Sequence, residues 1–330
     1  MNSPLPPLAP VRPITLAEIR AARERIAGTC VRTPLVRLNL GPGFPDVRLK
    51  LETLQPINAY KLRGAANAVA RLSPADRARG VWTVSAGNAG QGIAYAARQA
   101  GISCTVVAIE TAPAAKLDRM RALGAKLVPV SYDEAWKIVD ARVYPGLEGT
   151  FIHPFDDPDF IAGHATIGLE IFEDAPDTQA VVASVGGGGL IVGVGSALKA
   201  LNPAIQVFGS EPETAAPLTR SLAHGSPQRF PDWKASFVDG AGGQSVFPRM
   251  WERMKPVVDG TIVVSLADVQ SAMRLVAEKV RVIAEGAGAL AAAAALSGRA
   301  GQGPVVAVVS GGNIDLKKFC ELVGAHADHA

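Results

Sequence analysis

From about residue 47 onward, short β-branched runs alternate with helical stretches, and this leaves few architectures open. Strand-like runs fall at 81–84, 105–109, 126–130, 180–185, 205–209, 261–264 and 305–309. Amphipathic or alanine-rich stretches fall at 91–100, 114–123, 132–139, 160–172, 190–200, 267–280 and 286–296. Strands alternating with helices of this length predict βαβ units and a mainly parallel sheet. The strands read as near-continuous apolar runs, as they do when helices cover both faces. Several run straight into glycine-rich turns: Ser85 to Gly92 after Val84, Gly186 to Gly189 after Val185, and Ser310 to Asn313 after Val309. Ligands of open α/β sheets bind beyond the carboxyl ends of the strands, so these turns are expected to share one crevice. The least regular part, 221–243, is a loop over that crevice or a surface connection.

Composition narrows the function classes. A chain of 330 residues allows about two domains, and 48% hydrophobic residues supply a sizeable core. Thirty-three Lys and Arg against 30 Asp and Glu leave a net charge of +3 with no basic run, so no nucleic-acid partner is expected. Cys30, Cys104 and Cys320 are odd in number and far apart, which fits a reducing compartment better than a disulfide framework or a zinc site. The greasiest run, 287–296, is too short for a membrane span, and the proline-rich start, 1–13, lacks the pattern of a signal peptide. We therefore expect a soluble cytoplasmic protein without a membrane partner, with 1–13 as a loose arm.

Gly186, Gly187, Gly188 and Gly189 precede Leu190, where a helix is expected to start. Without Cβ atoms the backbone can approach an anion closely, and the helix N-terminus adds partial positive charge. A phosphate is the natural guest; the plain alternative is a tight strand-to-helix turn. The terminal Gly-Lys-Ser/Thr of a P-loop is absent, which argues against an ATPase. Gly286-x-Gly288-x-x-Ala291, with Asp315 further on, matches a loose dinucleotide pattern and keeps a nicotinamide oxidoreductase open.

The segment Ala59-Tyr60-Lys61-Leu62-Arg63-Gly64-Ala65 resembles the Ser-Phe-Lys-x-Arg-Gly-Ala signature of fold-type II pyridoxal-phosphate enzymes, which carries their Schiff-base lysine. The Ser-x-Gly-Asn-x-x-Gln-Gly loop at Ser85 to Gly92, the stretch 151–163, the loop at Gly186 to Leu190 and the closing Ser310-Gly-Gly-Asn313 match in family order over nearly the whole chain. The threonine/serine dehydratase branch is the nearest likeness. The resemblance implies an α/β fold of two three-layer open-sheet domains of the tryptophan-synthase-β-like type, with the cofactor in the cleft between them. Residues 1–79 and 151–330 would form the large domain and 80–150 the small one. It further implies a homodimer or homotetramer.

The same resemblance assigns roles. Lys61 would carry pyridoxal 5'-phosphate and later move protons, which a lysine can do when its surroundings lower its pKa. Tyr60, in place of the family's Phe, would pack beside the cofactor ring. Asn88 would bond the ring oxygen, Gly186, Gly187, Gly188, Gly189 and Leu190 the phosphate, and Ser310 the pyridine nitrogen. Glu285 would lie near the ring. Ser85, Ala86, Gly87 and Asn88 would hold the substrate carboxylate, with Ser236 and Asp239 as further substrate contacts. Read without the family, Asn88 is an N-cap for the next helix, and Ser310 is a turn residue. A hydroxyl at the pyridine nitrogen cannot protonate it as a carboxylate would. The ring is then a weaker electron sink, and rapid loss of a β-leaving group becomes the favoured exit.

The expected reaction is the deaminating dehydration of a β-hydroxy amino acid, L-threonine or L-serine by default, to a 2-oxo acid and ammonia. An acid assists the hydroxyl, and the cofactor phosphate is a candidate. A 3-hydroxyaspartate or a phenylserine is an alternative substrate, because Ile57-Asn58-Ala59-Tyr60 and Ala89 depart from the common wording. Serine racemases resemble the chain too, but need a second acid/base where this chain has Ala86. A non-catalytic cofactor-binding protein is disfavoured by Lys61 and Ser310 together. Some relatives hold a divalent cation near a Glu-Pro segment. Glu211 matches its start and Glu213 is nearby, but Pro217 stands where an acid is expected, so no metal is expected and Glu211 reads plainly as a strand-end charge in solvent. His153-Pro-Phe-Asp-Asp157 reads as a structural turn rather than an acid-base pair, and His164 as a helical residue with no evident partner. The 17 residues after Asn313 leave no room for the regulatory module of biosynthetic threonine dehydratases, so feedback inhibition through one is not expected.

Overall fold

The computed structural model describes residues 8–112 and 114–324. In chain order the elements are α1 (Leu16–Ile26), β1 (Leu35–Arg37), β2 (Val47–Leu51), α2 (Lys61–Ala70), α3 (Pro74–Arg79), β3 (Val81–Val84), α4 (Asn88–Gln99), β4 (Cys104–Ile109), α5 (Ala114–Ala122), β5 (Lys126–Val130), α6 (Tyr132–Ala141) and β6 (Thr150–Phe151). There follow α7 (Pro158–Asp174), β7 (Ala180–Ser184), α8 (Gly189–Leu201), β8 (Gln206–Pro212), α9 (Pro217–His224), α10 (Pro248–Met254), β9 (Gly260–Val264), α11 (Leu266–Val280), α12 (Gly286–Leu296), β10 (Val305–Val309) and α13 (Leu316–Gly324). Short 3-10 turns occupy Glu52–Leu54 and Asp239–Ala241.

The strands form a six-stranded sheet in the order β1-β2-β10-β7-β8-β9 and a four-stranded sheet in the order β5-β4-β3-β6. Every pairing is parallel except β1 with β2. Burial on both faces explains the apolar strands: Val305, Ala307 and Val309 of β10 face α11 and α12, while Val306 and Val308 face the layer of α7 and α8. The smaller sheet is sandwiched likewise, with Val81 and Val106 against α2 and α4, and Val84 and Val107 against α6. Among the described residues no helix is long and apolar enough to cross a membrane.

Helix starts follow their caps. Asp157 accepts from the N–H groups of Asp159 and Phe160 at the head of α7, and Ser265 with Asp268 makes a capping box on α11. The expected loose arm lies partly outside the described residues. Its remainder is irregular but tied down: Arg249 donates to Ala9 O at 2.9 Å, Arg253 to Arg12 O at 3.3 Å, and Arg12 pairs with Glu18.

Because β7 and β10 are parallel neighbours at the centre of the larger sheet, the turns that leave them, at Gly186 and Ser310, lie side by side at the carboxyl ends of its strands. The turn after β3 meets them from the smaller sheet, where Asn313 donates to Asn88 Oδ1 at 2.8 Å. The three glycine-rich turns thus border one crevice between the sheets.

Candidate active site

Lys61 opens α2. The segment before it is laced to the turn after β10: Tyr60 N–H donates to Ser310 O at 3.0 Å, and Gly312 N–H to Asn58 O at 2.9 Å. Beneath α2, Arg63 donates to both oxygens of Glu52 at 2.8 Å and to Glu170 at 2.6 and 2.9 Å, and Lys50 pairs with Glu170 at 2.7 Å. All four side chains are buried. Burial alone would raise Glu52, but the Arg63 charge holds its carboxyl below the usual range. This ionic knot fixes the helix that carries Lys61 against β2 and α7. The sequence offered Arg63 only as a motif letter.

Lys61 Nζ donates to Pro154 O at 2.7 Å and stands 5.2 Å from the Tyr60 ring centre and 5.3 Å from that of Phe160. Among the described residues no carboxylate pairs with it. Burial without a counter-charge pulls its pKa from 10.5 to about 7, so the amine is substantially neutral near neutral pH. Tyr60, half-buried, meets His164 edge-on at 4.6 Å. Both ring nitrogens of His164 lack a partner among the described residues.

One residue beyond Pro154, Phe155 presses its ring under the tetraglycine turn. A Cβ on Gly187 would lie 2.3 Å from Phe155 Cγ, so only glycine fits. Gly188, at φ +87°, is the left-handed N-cap of α8. Among the described residues nothing accepts from the N–H groups of Gly186 through Leu190. Five bare donors at a helix N-terminus form a cradle for an anion.

Opposite the cradle, the Ser310 hydroxyl is buried and donates to Ala287 O at 3.3 Å. Asn88 Nδ2 donates to Glu285 Oε1 at 2.6 Å. Burial pushes the Glu285 carboxyl up to about 7, and Asp239 adds in the same direction. These groups suit a phosphorylated aldehyde on a pyridine ring: an amine that sheds its proton near neutral pH, a cradle for one phosphate, and a hydroxyl rather than a carboxylate for the ring nitrogen.

The turn of Ser85, Ala86, Gly87 and Asn88 is half-buried at the head of α4, and the N–H groups of Ala86, Asn88 and Ala89 face no acceptor among the described residues. Asn88 does not cap α4; Gly87 is the N-cap, and the Asn88 amide is already engaged by Glu285 and Asn313. Asp239 stands at the crevice mouth in an ion pair with Lys116 of α5. Ser236 accepts from Val238 N–H at 3.2 Å and so shapes its own loop. Gln244 donates to the Tyr132 hydroxyl at 3.3 Å, and Trp136 stacks on Phe247 at 5.8 Å, which joins α6 to the segment just after 221–243.

Other sequence candidates are structural. Asp156 is held by Arg142, Arg249 and Arg253, while His153 Nδ1 accepts from the N–H groups of Phe155 and Asp156; burial lowers that imidazole to about 3 and keeps it neutral. Glu211 does not face solvent as the plain reading of a strand-end charge expected. It is fully buried and accepts from Leu218 N–H and Thr219 N–H at the head of α9, both at 2.8 Å. Among the described residues no group of three or more His, Cys, Asp or Glu is placed to hold a metal ion. The dinucleotide pattern fails on context: Gly286 follows the irregular stretch 281–285 rather than a strand. Gly288 instead lets α12 approach Gly311, whose carbonyl a Cβ would meet at 2.0 Å.

Comparison with known proteins agrees with this geometry. The pyridoxal-phosphate dependent enzyme family matches residues 26–311, and the chain belongs to that family. An L-threonine ammonia-lyase of Thermotoga maritima is 38% identical over 315 residues, covering 94% of this chain and 78% of that protein. Maize serine racemase superposes with a TM-score of 0.87 at 30% identity, covering 96% of this chain and 99% of that one. The processed form of threonine deaminase isoform 2 from Solanum lycopersicum gives 0.80 at 31% identity, covering 97% and 94%. The protein is thus a fold-type II enzyme that depends on pyridoxal phosphate.

Proposed function

We propose that this enzyme is an ammonia-lyase for a β-hydroxy amino acid, with L-threonine or L-serine as first substrates. The observation that carries the reading is the placement of Lys61: a half-buried lysine whose desolvated amine has no carboxylate partner among the described residues, and whose acceptor Pro154 adjoins the residue that braces the bare N–H cradle. Likeness to the Thermotoga L-threonine ammonia-lyase supports it.

Lys61 would hold the cofactor, and Gly186 to Leu190 would receive its phosphate. When bound, pyridoxal phosphate supplies the aldehyde carbon for the amine and a ring that takes up the electron pair left when Cα–H breaks. The N–H groups of Ala86, Asn88 and Ala89, with Ser85, hold the substrate carboxylate and turn Cα–H toward Lys61 Nζ, which takes the proton. Ser310 would face the ring nitrogen with a hydroxyl that does not protonate it, so the electron pair left at Cα would expel the β-hydroxyl, which would leave as water with the proton that Lys61 Nζ took from Cα. The enamine product takes up water and yields a 2-oxo acid and ammonia. Ala86 has no proton to give on the opposite face, so racemisation stays feeble. Asp239 and Glu285 frame the substrate and ring sides.

Release of ammonia and 2-oxo acid from a panel of β-hydroxy amino acids, with Lys61→Ala as control, tests the reading. Ammonia from threonine or serine that vanishes in the variant supports it. Racemisation without ammonia, or a colourless protein that binds NAD, overturns it. Assembly as a homodimer or homotetramer and a cytoplasmic location belong to the same proposal, checked by solution mass and by fractionation.

A further inference from the structure

Arg119 lies one helical turn from Lys116 on α5. Lys116 is neutralised by Asp239, but among the described residues Arg119 has no carboxylate partner. Its guanidinium reaches across the crevice and donates to Asn313 Oδ1. Asn313 Nδ2 donates to Ile57 O and to Asn88 Oδ1, both at 2.8 Å. Asn88 Nδ2 then donates to Glu285 at 2.6 Å, and its second N–H has no acceptor among the described residues.

A side-chain amide offers an acceptor at one end and donors at the other, so a pair of them can run in either direction. Here the direction is forced. Arginine can only donate and a peptide carbonyl can only accept. Arg119 therefore claims the oxygen of Asn313, and Ile57 O claims its nitrogen. The Asn313 nitrogen must then face Asn88, and Asn88 must turn its own nitrogen toward the crevice. Glu285 cannot enforce this alone, because a carboxyl that is partly protonated near neutral pH can donate as well as accept.

We propose that Arg119 is a positioning residue that, together with Ile57 O, holds the direction of the Asn313–Asn88 amide relay, so that Asn88 presents an N–H, not a carbonyl, to the phenolate oxygen of the cofactor. The inference rests on the proposed seat of the cofactor on Lys61. Charged groups facing the relay are Glu285 at the N-cap of α12, Lys116 from α5 and Asp239 from its 3-10 turn.

A donor on the phenolate oxygen draws off the negative charge that retains the proton shared with the Lys61 nitrogen. Loss of the donor therefore moves the loss of that proton to higher pH. The test titrates the visible absorption of the loaded protein and measures cofactor affinity for Arg119→Met, Arg119→Lys and Arg121→Met. Arg121, exposed and paired with Asp118, controls for the loss of one positive charge from the same helix. For Arg119→Met we expect the transition to rise by roughly half to one pH unit and the cofactor Kd by roughly three- to tenfold, the worth of one ordinary hydrogen bond. Arg119→Lys, still a donor only, should restore both, and Arg121→Met should change neither. Equal shifts in Arg119→Met and Arg121→Met, or none in either, overturn the proposal. Should Arg119→Met fail to fold, Asn313→Asp decides. It has no donor for Asn88 and must give an upward shift at least as large, and its absence overturns the proposal. If wild type takes up no cofactor colour, or borohydride labels a lysine other than Lys61, the site reading itself falls. Colour and a Lys61 label without these shifts sink the relay alone.

Discussion

Replacing Lys61 by Met should make the cofactor-free protein more stable near neutral pH, although it destroys the proposed function. The buried amine is lowered from 10.5 to about 7, whereas an unfolded chain keeps the ordinary value. Between those limits the unfolded state binds more protons than the folded one, so wild-type stability rises with pH across this window. Below about 7 both states are charged and the penalty is constant at its maximum; above about 10.5 it is gone. A depression of this size is worth at most on the order of 5 kcal/mol. Met fills a similar volume but leaves Pro154 O without its donor, which costs about 1 kcal/mol. The net gain is therefore about 2–4 kcal/mol at pH 7, shrinking to nothing or slightly below as pH approaches 10.5. Urea titrations of both cofactor-free proteins across the window measure it. A difference that does not change with pH, or a variant less stable than wild type at pH 7, would refute the argument that desolvation sets the state of this amine.

Gly187→Ala places a Cβ on the Phe155 ring and should weaken cofactor retention at least about tenfold while the fold survives, as read by absorbance after dialysis. Glu285→Gln removes a carboxyl that titrates near 7, so the limb of the rate profile at that pH should flatten; an unchanged profile would show that Glu285 does not bear on the reaction. Stability should respond as well: the raised carboxyl costs folded wild type progressively from pH 4.5 to about 7, and Gln abolishes that slope. Arg63→Met strands Glu52 without its cation and leaves Glu170 with Lys50 alone, and should cost about 3–5 kcal/mol in chemical denaturation.

The parallel sheets and the glycine turns were legible because both faces of each strand are buried, which leaves nearly unbroken apolar runs such as Val305 to Val309. Strand β2 was not, because Val-Arg-Leu-Lys-Leu places a charge inside; Lys50 is tolerated there only through Glu170, far along the chain. The same distance hid the site's supports. Arg63 and Glu170 are 107 residues apart, and Arg119 and Asn313 are 194 apart. In parallel sheets each crossover carries the chain away before it returns, so such partners leave no local pattern. Local motifs did mark Lys61, the tetraglycine cradle and Ser310, and the fold gathers them. The cap assigned to Asn88 failed because a longer-range amide partner outcompeted the helix end.

Borohydride reduction of the purified coloured protein, followed by peptide mass mapping, bears most directly on all of this. A single phosphopyridoxyl label on the tryptic peptide containing Lys61, absent in Lys61→Ala, is the expected result. A protein that never absorbs in the visible when supplied with the cofactor, or a label on a surface lysine, would contradict the account.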